Sequence, residues 1–397
     1  MEDIRVLHRS EHNISRKNIS QHALKVLYRL KAGGYWAFLV GGALRDLLRD
    51  VEPRDFDVVT NAGIDEIRKL FRNSKVIGKR FPIVHTYFGG DLVEVSSLKA
   101  DGDHTKYELL HADAMQRDFT ANSVFYDIND FKVIDPLGAV DHINDRRVVA
   151  IGNVSEKFVE DPIRMLRALK LEIKHGFSLN KDVEQALTQH ASGLHDVGPG
   201  RRYEELTRIF LSGYCNHMIE RLEELGVLKE MWENGSRIVA KKGFDFFKKA
   251  SAGIPVHYSR GSYAKQTHTH LWLFLYLQSG MFDAAHSHNE AVSCFNNFVE
   301  PLGMPFAQPV HDALMGFTML REGEMEQLNT IARESRQLLD NYLVVHEPEM
   351  AAKLEEHFGG ELNRRKSRRG GHSKAEGGKR RRRRRPRGRR RKKATES

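Results

Sequence analysis

Cysteine is scarce in this 397-residue chain: Cys215 and Cys294 are the only two. That excludes a disulfide framework and fits a reducing compartment. No Cys-x-x-Cys pair occurs, so a thiolate zinc site of the usual spacing is excluded as well. Long apolar runs are also missing. Without about eighteen consecutive apolar residues, no membrane-spanning helix is expected. The first residues, MEDIRVLHRSEHNISRKN, lack the apolar stretch of a secretory signal. No Ser-His-Asp or Cys-His pattern for a nucleophile stands out. These absences leave a cytoplasmic protein with a core of ordinary aliphatic and aromatic side chains, long enough for two or three domains.

Charge is plentiful but uneven. There are 63 Lys and Arg against 53 Asp and Glu, a formal net of +10. Residues 361–397 hold 19 of the basic residues and 3 of the acidic ones, a net of +16, which leaves −6 on the preceding 360. The runs Lys379–Arg385 and Arg387–Lys393 repel themselves and bury nothing apolar, so this tail reads as disordered. A polyanion such as RNA suits it, through counterion release. A targeting signal or a contact with a protein partner are the alternatives.

The stretch Trp36–Thr60, WAFLVGGALRDLLRDVEPRDFDVVT, organises the rest. It predicts a strand over 36–40, a tight turn at Gly41-Gly42, a helix over 43–49, a break at Pro53 and a strand over 55–59. On a strand, Asp55 and Asp57 share one face while Phe56 and Val58 share the other. Two neighbouring carboxylates repel each other unless both bind a divalent cation. Gly41-Gly42 before a helix supplies bare backbone N–H groups, which suit a phosphate. Together they point to metal-assisted phosphoryl chemistry. A surface turn and two solvated acids is the alternative.

Residues 1–20 are polar and lead into a helix over 20–32, ended by Gly33-Gly34. A helix over 64–71 follows, then strand-like runs at 75–77, 83–88, 92–96, 123–128 and 132–134. Four or five strands with one or two helices predict a small sheet with its helices on one face. From Ser155 onward strand patterns fade, and helices are predicted over 159–174, 181–191, 200–212 and 216–228. The chain reads as helical to about residue 358. The fold class is therefore α+β: a head with a small mixed or antiparallel sheet over 1–152, an all-α neck over 153–228, an all-α body over 229–360 and the disordered basic tail over 361–397. Two H-x-H pairs, His268/His270 and His286/His288, have a spacing that serves a metal on a strand, but helical surroundings make such side chains diverge and read as solvated.

GGALRDLL followed by DFDVVT resembles the signature of the class II tRNA nucleotidyltransferase and bacterial poly(A) polymerase superfamily, and the resemblance continues in order over residues 35–230. It implies a nucleotidyltransferase-type head. Glu94, in LVEVSS, stands where the family completes a metal triad with Asp55 and Asp57; an exposed strand glutamate is the alternative. Ile77-Gly78-Lys79-Arg80-Phe81-Pro82-Ile83-Val84-His85 resembles an element that marks bacterial poly(A) polymerases and differs in CCA-adding relatives. Gln116-Arg117-Asp118-Phe119-Thr120-Ala121-Asn122 is similar to the family's RRDFTxN motif. The resemblance implies that Arg117 contacts the triphosphate, that Asp118 serves the ribose and the acid set, and that Asn122 supports them. Gln116 departs from the usual arginine, and the segment between Lys99 and Asp113 is short beside the family's long flexible loop.

Glu160-Asp161-Pro162-Ile163-Arg164-Met165-Leu166-Arg167 is similar to the family's EDPxRxLR element. There Asp161 and Arg164 would template the incoming base and Arg167 would reach the triphosphate; a helix cap with a solvated ion pair is the alternative. Lys170 stands where relatives carry another arginine. The Asp135-Pro136-Leu137-Gly138 turn and Pro199-Gly200-Arg201-Arg202-Tyr203-Glu204-Glu205 read as structural. The resemblance implies a template-independent adenylyltransferase that adds AMP from ATP to RNA 3′ ends, with two Mg²⁺, or Mn²⁺, on Asp55, Asp57 and Glu94. Gly41, Gly42, Arg45 and Arg117 would cradle the phosphates. The expected partners are ATP, RNA 3′ ends and RNA-decay machinery reached through the tail; the protein is expected to be a monomer. A CCA-adding tRNA nucleotidyltransferase is the alternative within the class. A non-catalytic RNA-binding protein on a transferase-like head is the alternative outside it. An organelle of bacterial ancestry is the alternative compartment.

Overall fold

The computed structural model describes residues 4–78, 82–89, 91–98, 104–251, 275–276, 293–295 and 308–358. Eight strands form one mixed sheet: β1 (Arg5–Leu7), β2 (Ala37–Val40), β3 (Asp57–Thr60), β4 (Ser74–Ile77), β5 (Ile83–Phe88), β6 (Asp91–Ser97), β7 (Phe125–Asp127) and β8 (Lys132–Asp135). Their order is β1-β8-β7-β2-β3-β6-β5-β4. Every neighbouring pair is antiparallel except β3 with β6. That parallel join sets the N-terminal residue of β3, Asp57, opposite Glu94.

Strand alternation sorts side chains between two cores. Ala37, Leu39 and Val58 join the large core. There they meet Leu24 and Leu27 of α1 (Gln21–Ala32), Leu44 of α2 (Gly42–Leu48), Ile67 of α3 (Ile64–Leu70) and Ile143 of α5 (Ala139–Asn144). Phe38, Val40 and Val59 point the other way, to a small core with Leu110 and Ala114 of α4 (Lys106–Gln116). The expectation of helices on one face therefore holds for the large core, and α4 adds a cover on the opposite face. The start of α4 is written in Thr105-x-x-Glu108. Thr105 Oγ1 accepts from the Glu108 N–H at 3.3 Å, and a Glu108 carboxylate oxygen accepts from the Thr105 N–H at 2.8 Å. Edge strand β1 lies in the stretch read as polar; at three residues it is too short for alternation to show.

The sheet gives way to helices α6 (Val154–Glu160), α7 (Ile163–His175), α8 (Lys181–His190), α9 (Pro199–Phe210) and α10 (Cys215–Glu224). The single helix expected over 159–174 is two. Pro162 cannot donate to the α6 ladder, and Asp161 Oδ1 accepts from the Ile163 N–H at 3.3 Å, which starts α7 afresh. Arg221 of α10 binds Glu172 of α7 at 3.1 Å and also Glu184 of α8. The large core runs on through these helices without interruption. Further helices cover Val227–Met231, Glu233–Lys242, Asp245–Ser251, Gln308–Glu322, Arg333–His346 and Pro348–Phe358. Lys79, Arg80 and Phe81, the H-x-H pairs and the basic tail lie outside the described residues. Among the described residues no helix is long and apolar enough to cross a membrane.

Candidate active site

Gly41 ends β2 with φ 77° and ψ −147°, a region closed to side chains. A Cβ there would lie 3.1 Å from Asp57 Oδ2. The glycine thus permits both the turn into α2 and the close approach of the Asp57 carboxylate, which pairs in register with Val40. Glu94 is the register partner of Asp57 on one side, and His85 of β5 is the register partner of Glu94. His85 Nε2 stands 3.4 Å from Glu94 Oε1. Asp55 is exposed and precedes β3, which begins at Asp57 and not at residue 55 as expected. Phe56 is 8% exposed and anchors that loop into the large core.

Burial pushes the Asp57 carboxyl up to about 6, and the Glu94 charge adds to it. Arg117 opposes the shift, and Asp55 adds a smaller upward push. Three carboxylates therefore bear on one corner of the sheet. Among the described residues, no three His, Cys, Asp or Glu side chains are gathered closely enough to hold a metal ion. The set fits a hard divalent cation in charge and in its oxygen donors, but it is not drawn into a closed shell.

Arg117 follows α4 and reaches across this corner, 4.0 Å from the position of a Cβ on Gly41. Its Nε donates to Asp113 Oδ2 at 2.8 Å and its Nη1 to the Asn122 carbonyl at 3.2 Å. Asp118 is 8% exposed. Its Oδ1 accepts from the Phe119 N–H at 2.8 Å and from Asn122 Nδ2 at 3.2 Å. Its Oδ2 accepts from Arg167 Nη1 of α7 at 3.2 Å, so the head and the helical part share a charge pair.

Arg45 departs from the expected phosphate contact. It is 6% exposed, and its fork is spent inside the protein. Nη1 donates to Asn122 Oδ1 at 3.0 Å, Nε to Asp46 Oδ1 at 3.1 Å, and Nη2 to His175 Nε2 at 3.2 Å. Burial and the Arg45 charge push His175 down to about 3. The ring is therefore neutral, and its Nε2 is an acceptor. His175, Arg45, Asn122, Asp118 and Arg167 form a chain that starts at the end of α7 and returns to its middle.

The side chains of Asp161 and Arg164 do not pair with each other. Asp161 Oδ2 accepts from Arg201 Nη2 of α9 at 3.0 Å. Arg164 donates to Glu160 Oε2 and to the Lys157 carbonyl. A cavity of about 530 Å³ opens beside Asp161, Pro162, His190 and Arg201. Three residues of this site escaped the sequence reading. Arg201 sits in the run read as structural. His85 closes the Ile77–His85 element, which gave its only signal. His175 gave none.

Residues 37–149 match the family described as the poly A polymerase head domain. Residues 176–234 match the one described as the probable RNA and SrmB-binding site of polymerase A. Two segments of the chain, its head and part of its helical neck, are therefore similar to domains of poly(A) polymerases. It is 35% identical over 268 residues to a protein named poly(A) polymerase I from Salmonella typhimurium, covering 63% of this chain and 58% of that protein. It is 32% identical over 216 residues to a CCA-adding enzyme of Geobacillus stearothermophilus, covering 52% and 53%. The chain thus spans well under two thirds of the length of either relative. Its fold is similar to the crystal structure of Bacillus stearothermophilus CCA-adding enzyme in complex with CTP, with a TM-score of 0.56 and 23% identity over 85% of this chain and 82% of that one.

Proposed function

We propose that this protein transfers adenylate from ATP to RNA 3′ ends without a template. The observation that carries the reading is the corner where Asp57, Glu94 and Asp55 bear on one another beside Gly41 and Arg117. The 3′-oxygen of the RNA attacks the α-phosphorus in line. The bond from that phosphorus to the bridging oxygen breaks, and pyrophosphate leaves. Asp55, Asp57 and Glu94 would hold Mg²⁺, as two ions, or Mn²⁺, which supplies charge neutralisation on the triphosphate and a more acidic 3′-hydroxyl. The protein's own work is positioning and electrostatics.

Gly41 and Gly42 keep the wall beside the phosphates bare, and Arg117 supplies the cation nearest Asp57. Asp118, steadied by Asn122 and Arg167, offers a carboxylate to the ribose. Asp161, held by Arg201, accepts from the amino group of the base at the neck cavity, with Arg164 on the same helix joint. Arg45 acts one step back and fixes α2 against α7. In this reading the head, 1–152, does the chemistry, the neck, 153–228, selects the nucleotide, and the body and the tail from 361 hold RNA. The tail is also the surface for RNA-decay partners, and a cytoplasmic monomer is the simplest form.

The names of the poly(A) polymerase I relatives support ATP as the donor and RNA as the acceptor. CCA addition to tRNA is the second reading, favoured by the relatives named for it. The test offers ATP and CTP separately, with an unstructured RNA and with tRNA lacking its CCA end. ATP-dependent growth of the unstructured RNA is expected. Strong CTP incorporation into the tRNA would move the assignment to CCA addition. No transfer in any pairing would leave a non-catalytic RNA-binding protein.

A further inference from the structure

The sheet face that carries Asp57 and Glu94 continues past them. β6 begins at Asp91, but β3 joins it only from Glu94. The β5–β6 hairpin therefore projects beyond β3: residues 91–93 pair with β5 but, among the described residues, have no strand partner on the β3 side. They border a cavity of about 1130 Å³, whose lining also includes Arg54 and Asp55. Tyr87 and Leu92, also in its lining, are register partners on the projecting hairpin. They are 37% and 39% exposed.

Alternation places both on the side of the acids. His85 touches Glu94 at 3.4 Å, and the Tyr87 ring stands edge-on to the His85 ring with centroids 6.4 Å apart. Ile77, 39% exposed, pairs with Ile83 on the same face. An uncovered tyrosine and two uncovered aliphatics beside a catalytic carboxylate form a patch that asks for an occupant. Leu92 lies two residues from Glu94, about 7 Å along the strand, which is the scale of one nucleotide.

The charges select the kind of occupant. Arg54 and Lys17 line the cavity and make no ion pair among the described residues. Of the four cavity acids, Asp50 accepts from Asn13 at 2.7 Å, Asp91 lies 2.9 Å from His22, Asp55 belongs to the reacting corner, and Glu52 stays exposed. Free cations beside an aromatic platform that leads to the reacting corner match unpaired RNA, whose bases stack on flat side chains while its phosphates take Arg and Lys.

We infer that the β5–β6 hairpin seats the unpaired 3′ end of the RNA, with its last base on Tyr87 against Leu92 and its phosphodiester led by Arg54 towards Asp55 and Asp57. This deepens the proposed adenylyl transfer and rests on it. The test uses the full chain with Tyr87→Ala and Tyr87→Trp, on oligoadenylates with a normal or an abasic 3′-terminal nucleotide. Removing one stacked base costs roughly tenfold in affinity. Tyr87→Ala is expected to raise KM for the normal RNA about tenfold, leave KM for ATP unchanged and respond no further to the abasic end. The original chain is expected to lose about tenfold on the abasic end. Tyr87→Trp is expected to restore KM for RNA. Its fluorescence is expected to be quenched by oligoadenylate, beyond any quenching in the original chain, with no ATP present. That quench needs no transfer, so it supports the seat even if the chain proves inactive. An abasic penalty of equal size in Tyr87→Ala, a rise in KM for ATP alone, or absence of the quench overturns the inference.

Discussion

Replacing Gly41 by alanine tests how tightly the turn and the acid corner are joined. The backbone there has φ 77° and ψ −147°, so an alanine is strained whatever space surrounds it. Strain of this kind costs about 1–3 kcal/mol. The new Cβ would also sit 3.1 Å from Asp57 Oδ2, so the carboxylate must shift by a few tenths of an ångström. Asp57 cannot yield freely, because β3 is paired with β2 on one side and β6 on the other. Gly42→Ala is the control. Its Cβ would meet Arg45 Nη2 at 3.2 Å, so the buried Arg45 fork must give by a few tenths of an ångström, a cost set against the helix preference. In α2 an alanine is favoured over glycine by about 0.5–1 kcal/mol. The urea midpoint and the rate of adenylate incorporation, measured on both variants, separate the two effects. Gly41→Ala is expected to lose about 2–3 kcal/mol of stability, most of it backbone strain, and at least a hundredfold in rate. Gly42→Ala is expected to stay near the original stability. Equal midpoints, with transfer retained in Gly41→Ala, would show that the carboxylate tolerates displacement and that the corner is not the reacting centre.

Asp57→Asn is expected to abolish transfer while leaving the urea midpoint unchanged or higher, because it removes a carboxylate that burial and Glu94 disfavour; a large loss of stability would contradict that. His175 links stability to pH. Its folded value, about 3, lies below the ordinary 6.5, so the unfolded chain binds the extra proton and stability falls as pH drops from about 6.5 towards 3. Arg45 and Asp46 from α2, with Lys170 and Lys174 on its own helix and Arg49 nearby, face or surround the ring. Between pH 7 and pH 5.5 the loss is about 1 kcal/mol. Asp57, raised to about 6, contributes in the opposite sense over the same interval, so urea titrations at both values should show the His175 loss as the difference between the original chain and His175→Gln, which keeps an acceptor for Arg45. Arg201→Ala frees Asp161 and is expected to raise KM for ATP roughly tenfold and narrow the ATP-over-CTP preference, read from kcat/KM with each nucleotide. An unchanged preference would make Arg201 a plain neck contact.

Most of this architecture is legible because its signals are local. Gly41-Gly42 reads as a turn, Ile83–Phe88 is made of β-branched and aromatic residues around one histidine, and Gln21–Ala32 carries its own cap and stop. The misses share a cause. α4 has only weak periodicity, so its capping box carried the signal that apolar spacing did not. β1 is three residues paired with a strand more than 120 positions later, and pairing at that distance leaves no mark on so short a run. The break at Pro162 was readable from its missing N–H, but the apolar spacing that spans it suggested one helix.

The site shows the sharper limit. Asp57 and Glu94 were readable as acids on strands, yet only the parallel register makes them neighbours. Arg45 shows why residue type is a weaker guide than partner. An arginine three residues after a glycine turn suits a phosphate on chemistry alone. Once folding surrounds it with Asp46, Asn122 and His175, its donors are occupied and its burial makes them hard to release. Drawing Arg45 onto a ligand would strip His175 of its donor and leave Asp46 facing the site uncompensated. Arg117, by contrast, is placed to meet the triphosphate of the proposed reaction. Its partners, the Asp113 carboxylate and the Asn122 carbonyl, hold it beside Gly41 and leave it part-exposed. A buried fork that orients and a part-exposed fork that binds are two jobs for one residue type. Which arginine takes which job follows from the acids and histidines that tertiary structure places around each.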